Sequence, residues 1–148
     1  GAEYASLSEE RIEGYRQALA EAGMGLDEGL LLRGPFTYES GYERTKRLLS
    51  SAQRPDAIFA VNDVVALGAM DAIIDWGLHI PEEIALIGFD DIYLCSYRAI
   101  QLTSVSQNIY RMGQIALELL LDTISDPENH KPTETVLQTE LIVRRSSG

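Results

Sequence analysis

Ala57-Ile58-Phe59-Ala60-Val61-Asn62-Asp63 and Ile84-Ala85-Leu86-Ile87-Gly88-Phe89-Asp90-Asp91 are two apolar runs, each ending abruptly in amide or acidic side chains. Runs this short, with no polar alternation, read as strands buried on both faces. Between them, residues 64–76 are rich in apolar side chains and are followed by Gly77, which predicts a helix and therefore a βαβ crossover. A crossover sets the C-terminal ends of both strands on one edge of a parallel sheet. That edge is where doubly wound folds hold ligands. Asn62, Asp63, Asp90 and Asp91 converge there without any catalytic motif.

Outward from this unit the chain alternates helix and strand. Upstream, residues 6–22 predict a helix: Ser6 and Glu9 have capping-box spacing, Ile12, Tyr15, Ala18, Leu19 and Ala22 form an apolar stripe, and Gly23 suits the C′ position. Residues 30–32 are a candidate strand, and Thr37 caps a second helix over 38–51 carrying Tyr42, Thr45, Leu48 and Leu49 on one side. Downstream of the crossover come an irregular loop over 90–101, a strand over 102–105 and a helix over 109–124. That last helix carries Ile109, Met112, Ile115, Ala116, Leu119 and Leu120. Asp126-Pro127-Glu128-Asn129 breaks the helix, and 135–143 reads as a final, partly exposed strand.

This order predicts an α/β fold, a mostly parallel open sheet with helices on both faces. The first helix has no strand before it. In a 2-1-3-4-5 sheet the absent strand is the central one. Its absence leaves unpaired backbone on two neighbouring strands, which is costly. A gap filled by another chain, a swapped element or a rearranged strand is therefore expected.

Composition narrows the function classes. With 148 residues, 45% of them hydrophobic, the chain can bury one core of ordinary domain size. Its net charge of −11, from 12 basic and 23 acidic residues, argues against a grip on a phosphate backbone. No apolar run approaches the roughly 18 residues of a membrane span, and the N-terminal residues carry no signal core. The single Cys95 offers neither a disulfide nor metal-ligand spacing, which fits a reducing, cytoplasmic setting with no metal and no cofactor.

Arg11, Phe36, Asn62, Asp90 and Gln107 are the candidates for the ligand edge. Asn62 and Asp63 follow the first strand, and one of them caps the helix while the other is free to face a ligand. Asp90 follows the second strand, where a carboxylate accepts hydrogen bonds from ligand hydroxyls; a solvated turn is the alternative. Arg11 lies one turn inside the first helix, Phe36 follows the 30–32 run, and Gln107 stands between a strand and the last helix. A surface arginine, a packed phenylalanine and a helix-start residue are their plain readings. A common position on one edge raises all three. His79 and His130 read as surface residues, and Tyr93, Cys95 and Tyr97 either line a pocket or pack on a neighbour.

Three stretches carry a resemblance: Glu10-Arg11-Ile12-Glu13-Gly14-Tyr15-Arg16, then Val61-Asn62-Asp63-Val64-Val65-Ala66-Leu67-Gly68-Ala69-Met70, then 81–91 followed by Leu102-Thr103-Ser104-Val105-Ser106-Gln107 and Gly113. In this order they resemble the effector-binding core of the lactose/galactose-repressor family of bacterial transcription regulators, along nearly the whole chain. The resemblance implies a periplasmic-binding-protein-like (type I) C-terminal subdomain, with residues 107–134 at the crossover toward an N-terminal subdomain. The DNA-binding headpiece lies outside it. It further implies that Arg11 grips the ligand, Asn62 and Asp90 take its hydroxyls, Phe36 forms an aromatic wall, Gln107 makes a hinge-side contact, and Asp63 is a structural cap. Gln101 stands where the family usually has proline, Ser104 replaces a threonine, and Ile109 replaces a residue that is often aromatic.

The leading expectation is thus a sugar-sensing, dimerising domain of a transcription regulator, reaching operator DNA only through the headpiece and possessing no enzymatic role. A homodimer is expected, with strand exchange one way to fill the gap. The alternative is a periplasmic sugar-binding protein of a transport system. A Mg²⁺-dependent phosphoryl-transfer enzyme using Asp63, Asp90 and Asp91 is disfavoured: no glycine-rich phosphate loop and no suitably placed lysine accompany the acids.

Overall fold

The two apolar runs form β1 (Ala57–Phe59) and β2 (Ala85–Asp90), paired in parallel with Ala57 beside Ala85 and Phe59 beside Ile87. The helix between them is α3 (Asp63–Asp75), and β3 (Thr103–Ser106) joins the other side of β2, again in parallel. β4 (Glu140–Ile142) adds antiparallel to β3, giving the order β1-β2-β3-β4. The computed structural model describes residues 2–125 and 134–148. The expected break at 126–129 and His130 lie outside the described residues. The α/β reading with a mainly parallel open sheet is borne out.

The core forms where α3 meets the sheet. Ala66, Ala69, Ala72 and Ile73 are buried with Ile84, Leu86 and Leu102. Small residues on this face let the helix sit low on the strands. α2 (Tyr38–Leu49), capped by Thr37 through the Ser40 N–H at 3.2 Å, stacks on α3. Gly41 and Gly68 make that stack possible: a Cβ on either would run into the backbone carbonyl of Val65 or Tyr38. Along the rim of the stack the Tyr38 hydroxyl donates to Asp71, and the Tyr42 hydroxyl donates to Asp75 at 2.8 Å.

Both expected C-terminal stops occur. Gly23 and Gly77 adopt φ of 70° and 80°, and the next residues, Met24 and Leu78, donate back to the carbonyls of Leu19 and Ile73. This is the left-handed cap that glycine adopts without steric cost.

Three expectations need correction. α1 runs over Ala2–Glu21, so Ser6 lies inside the helix and is not its N-cap residue. Residues 30–32 are not a strand: Asp27 accepts the Gly29 N–H at 2.8 Å and starts a 3-10 turn over Glu28–Leu30. An apolar run becomes a strand only when a neighbour offers its backbone, and among the described residues none lies alongside. Finally, of 135–143 only Glu140–Ile142 pairs, because β3 is short and presents three partners.

α4 (Ile109–Ser125) keeps its expected span and apolar stripe but buries no residue; Met112, Leu120 and Ile124 are 47%, 55% and 64% exposed.

Candidate functional site

The C-terminal edge of the parallel strands is shaped by one buried carboxyl. Asp63, the first residue of α3, is fully buried. Its Oδ1 accepts the Ser104 hydroxyl at 2.6 Å, and its Oδ2 accepts the Ile92 N–H at 2.8 Å. Ser104 in turn accepts the Asp91 N–H at 3.0 Å. These bonds tie the start of α3, β3 and the turn after β2 into one unit. The helix cap is Asn62, whose Oδ1 accepts the Val65 N–H at 2.9 Å. The expectation that Asp63 is structural holds, but its role as the cap is corrected: Asn62 caps, and Asp63 anchors the turn. Ser104, noted only as a departure from a family pattern, is that anchor's partner.

The anchored turn is strained. Asp90 and Asp91 have φ of 108° and 53°, a region that non-glycine residues rarely enter and that persists where surrounding bonds over-determine it. The turn directs the two carboxylates apart. Asp91 points down to Arg144 Nη2 at 2.8 Å, an ion pair held by charge and proximity rather than by an aligned hydrogen bond. Asp90 stays at the rim, where its Oδ1 accepts from Gln107 Nε2 at 2.7 Å and lies 3.8 Å from Arg11 Nη2. Burial raises the pKa of Asp90, and the Arg11 charge, then the Gln107 hydrogen bond, pull against that rise.

Arg11 is fixed from below as well, with its guanidinium carbon 4.1 Å from the centre of the Phe89 ring. Such a cation–π seat holds the charge without consuming its hydrogen-bond donors. Phe89 was missed at the sequence level. Strand alternation sets it on the opposite face from Asp90, so no local signal marks it; the contact joins α1 to β2 across distant parts of the chain.

Asn62 joins this group at the same edge. Ala57 pairs with Ala85 and Phe59 with Ile87, and Asn62 follows β1 at the edge where β2 ends in Asp90. β3 brings Ser106 level with Asp90, and Gln107 follows it. Phe36 stands slightly apart: with Arg11 it lines a cavity of about 190 Å³ that runs along β1. Arg11 therefore belongs both to the polar rim and to the aromatic, apolar recess beside it. The edge can grip a small polar molecule through a cation, a carboxylate and two amides, with an aromatic ring at its flank. Among the described residues no cluster of His, Cys, Asp and Glu has the arrangement of a metal site.

The other sequence candidates are structural. Gln101, with φ of 49°, donates to the Ser96 and Tyr97 carbonyls and closes the short 3-10 helix Tyr93–Ser96. Cys95 is buried, and burial, then its bond to Asp63, pushes the thiol pKa far up, so it is inert packing. His79 Nδ1 lies 2.9 Å from Glu83 on the exposed side of a turn. The segment after β4 also went unread in the sequence: Ser146 Oγ donates to the Leu86 carbonyl at 2.6 Å and accepts the Thr103 N–H at 2.8 Å, stapling β2 to β3.

Comparison with known proteins follows the same lines. Residues 1–147 match the periplasmic binding protein-like domain family. The chain is 40% identical over 137 residues to the HTH-type transcriptional regulator CelR of Thermobifida fusca, a span of 93% of this chain and 40% of that protein. It is 37% identical to the HTH-type transcriptional repressor PurR of Haemophilus influenzae, over 92% of this chain and 41% of that one. Among solved structures, a CelR–cellobiose complex superposes with a TM-score of 0.84 at 40% identity, covering 93% of this chain and 42% of the other. The transcription regulator CcpA of Lactococcus lactis superposes with a TM-score of 0.83 at 33% identity, covering 95% and 51%. The chain thus spans about two fifths of the length of the curated regulators it matches.

Proposed function

The chain belongs to the periplasmic binding protein-like domain family, in the form found as the effector core of LacI-type regulators, and from that premise we propose that it is the sensor part of a bacterial transcription regulator. The effector is a sugar or sugar-like molecule held at the C-terminal edge of β1, β2 and β3. Asp90 accepts ligand hydroxyls, Arg11 and the amides of Asn62 and Gln107 donate, and Phe36 flanks the ring. The observation that carries this reading is the assembly of Arg11 and Gln107 on a single rim carboxylate, Asp90, at the edge where Asn62 also lies. A carboxylate has about four acceptor positions, and Gln107 takes one, so capacity remains for vicinal hydroxyls.

Regulation follows from linkage. A ligand shifts an equilibrium only by its different affinity for the two states. Gln107 lies directly after β3 and before α4, so a ligand competing for Asp90 acts on the connection between this sheet and that helix. The exposed apolar face of α4 supports contact with further polypeptide in the regulator. Operator DNA is reached through a helix-turn-helix part, since the acidic surface here offers no phosphate grip. A homodimer working in the cytoplasm completes the proposal. No described helix is long and apolar enough to cross a membrane. The periplasmic transport reading is not favoured, because the named relatives are regulators.

The test is a thermal-shift screen of the regulator containing this chain against mono- and disaccharides, cellobiose among them. A true effector raises Tm with concentration by mass action. A screen in which no sugar raises Tm, repeated by calorimetry with the same outcome, removes the sugar-sensor proposal. Sedimentation of the same protein as a monomer at micromolar concentration removes the dimer.

A further inference from the structure

We propose that Phe89 is a positioning residue of the effector site: its ring holds the Arg11 guanidinium in the orientation that presents an N–H edge to the ligand. This rests on the sensor reading of the edge, and it assigns a role to a residue that touches no ligand itself. Its place follows from strand alternation. Leu86 packs with Ala66 and Ala69 of α3, and a Cβ on Gly88 would lie 2.2 Å from Asp63 Oδ1, so these two residues face α3. Ile87 and Phe89 therefore face the other side of β2. Arg11 of α1 meets Phe89 there, with its guanidinium carbon 4.1 Å from the ring centre. Alternation alone would keep Phe89 and Asp90 apart. Asp90 ends the strand with φ of 108°, and both neighbours reach the same guanidinium.

Distance decides which of the two orients Arg11. Its Nη2 stands 3.8 Å from Asp90 Oδ1, beyond hydrogen-bond length, and that oxygen already accepts from Gln107 at 2.7 Å. A carboxylate at this separation attracts the charge without fixing the plane that carries it. A ring face does fix the plane: a cation within about 6 Å of the centre is drawn to the face, and a planar guanidinium stacks on it. The Arg11 side chain is 17% exposed, so water competes little with either contact.

The seat also leaves Arg11 chemically available. Among the described residues no hydrogen bond joins its guanidinium to an acceptor of the chain, so its five N–H donors are uncommitted. The ring covers one face, and the in-plane N–H edge stays open. Two parallel N–H groups on that edge match two neighbouring oxygens, as on a vicinal diol. Gln107 takes only Oδ1 of Asp90, which leaves Oδ2 to receive the hydroxyl protons. An aliphatic side chain at 89 would fill space beneath Arg11 and offer no face to hold it.

The test compares Phe89→Leu, which loses the ring, with Phe89→Tyr, which keeps it, in the regulator containing this chain. Two readouts need no ligand. The ring current should displace the Arg11 Nε–H resonance in the parent and in Phe89→Tyr, and that displacement should vanish in Phe89→Leu while the backbone spectrum of β2 and β3 stays native. Burial raises the Asp90 pKa, the Arg11 charge lowers it, the Asp63 charge raises it and the Gln107 bond lowers it. A loosened Arg11 should therefore let the Asp90 titration move upward in Phe89→Leu alone. The third readout is affinity for cellobiose by calorimetry, expected to fall roughly tenfold in Phe89→Leu and to stay within about twofold in Phe89→Tyr. In an Arg11→Ala background Phe89→Leu should cost no further affinity, because a ring that acts through Arg11 has nothing left to position. Should Phe89→Leu fail to fold, Phe89→Ile, which suits a strand better, replaces it. An unmoved Nε–H and Asp90 titration in the aliphatic variant, equal losses in the aliphatic variant and Phe89→Tyr, or a loss repeated in the Arg11→Ala background overturns the proposal. A regulator that binds neither cellobiose nor any other sugar removes the sugar-sensor reading instead, and the two ligand-free readouts then decide whether the ring holds Arg11.

Discussion

Asp63 and Asp90 stand at the same edge of the same sheet, one following β1 and the other ending β2, yet they do opposite work. Asp63 is fully buried, and both its oxygens are committed to groups of this chain, the Ser104 hydroxyl and the Ile92 N–H. Asp90 is one-third exposed and shares one oxygen between the Gln107 amide and Arg11. The lesson is that position at a ligand edge does not make a carboxylate a ligand group. What decides is whether the fold has already used its acceptor capacity. Asp63 builds the turn, and the turn holds Asp90 in a backbone conformation that keeps it available.

Substitutions should separate the two. The largest effect is expected for Asp63→Ala, which leaves the buried Ser104 hydroxyl and the part-buried Ile92 N–H without their acceptor. The cost is about 3 kcal/mol, roughly 10 °C in Tm for a domain of this size, checked by thermal or urea unfolding. An Asp63→Ala variant within 0.5 kcal/mol of the parent, on the order of surface substitutions, would erase the contrast. Asp90→Asn should leave stability nearly unchanged and weaken effector binding by roughly 10- to 100-fold, the value of a hydrogen bond to a charged acceptor, read by calorimetry. Asn62→Ala removes a helix cap and is expected to cost about 1 kcal/mol, with a weaker effect on binding than Asp90→Asn.

pH sharpens the comparison further. Burial raises the Asp90 pKa, so on acidification its carboxylate is protonated earlier than an ordinary aspartate, and effector affinity should begin to fall above the usual carboxylate range. In the Asp90→Asn variant that acid limb should vanish. The smallest effect lies at the other end of the scale. The hydrogen bond to Asp71, then burial, raises the Tyr38 pKa from its ordinary 10.0 to about 12. A folded-state pKa above the unfolded one contributes stability that is complete below pH 10 and fades as pH rises through about 12. Tyr38→Phe should flatten that alkaline decline in unfolding midpoints.

Much of this was legible in the sequence because it rests on local signals. Two apolar runs stopped by acids, a helix between them and glycines after the helices fix β1, α3, β2 and the edge. The division of labour between Asn62 and Asp63 was not legible. Both suit an N-cap, and only the long-range bonds to Ser104 and Ile92 distinguish them. Phe89 beneath Arg11, Arg144 beneath Asp91 and Ser146 between β2 and β3 are likewise contacts across distant parts of the chain, which no local pattern encodes. The 30–32 run failed for a related reason: a strand needs a neighbour's backbone, and no strand of the described sheet lies alongside it. α4 shows the same limit, since its stripe predicted the helix correctly and could not say what would cover it.

In the proposed sensor the open carboxylate at the end of β2, and not the sealed one at the start of α3, receives the effector. The direct measurement is a side-chain NMR titration of the regulator containing this chain with the sugar selected by the thermal screen. The largest shifts are expected at the Arg11 Nε–H and the Asn62 and Gln107 side-chain amides, with Ile92 N–H on Asp63 nearly still. Shifts that leave those three groups unmoved, or that centre on Ile92 and Ser104, would contradict it.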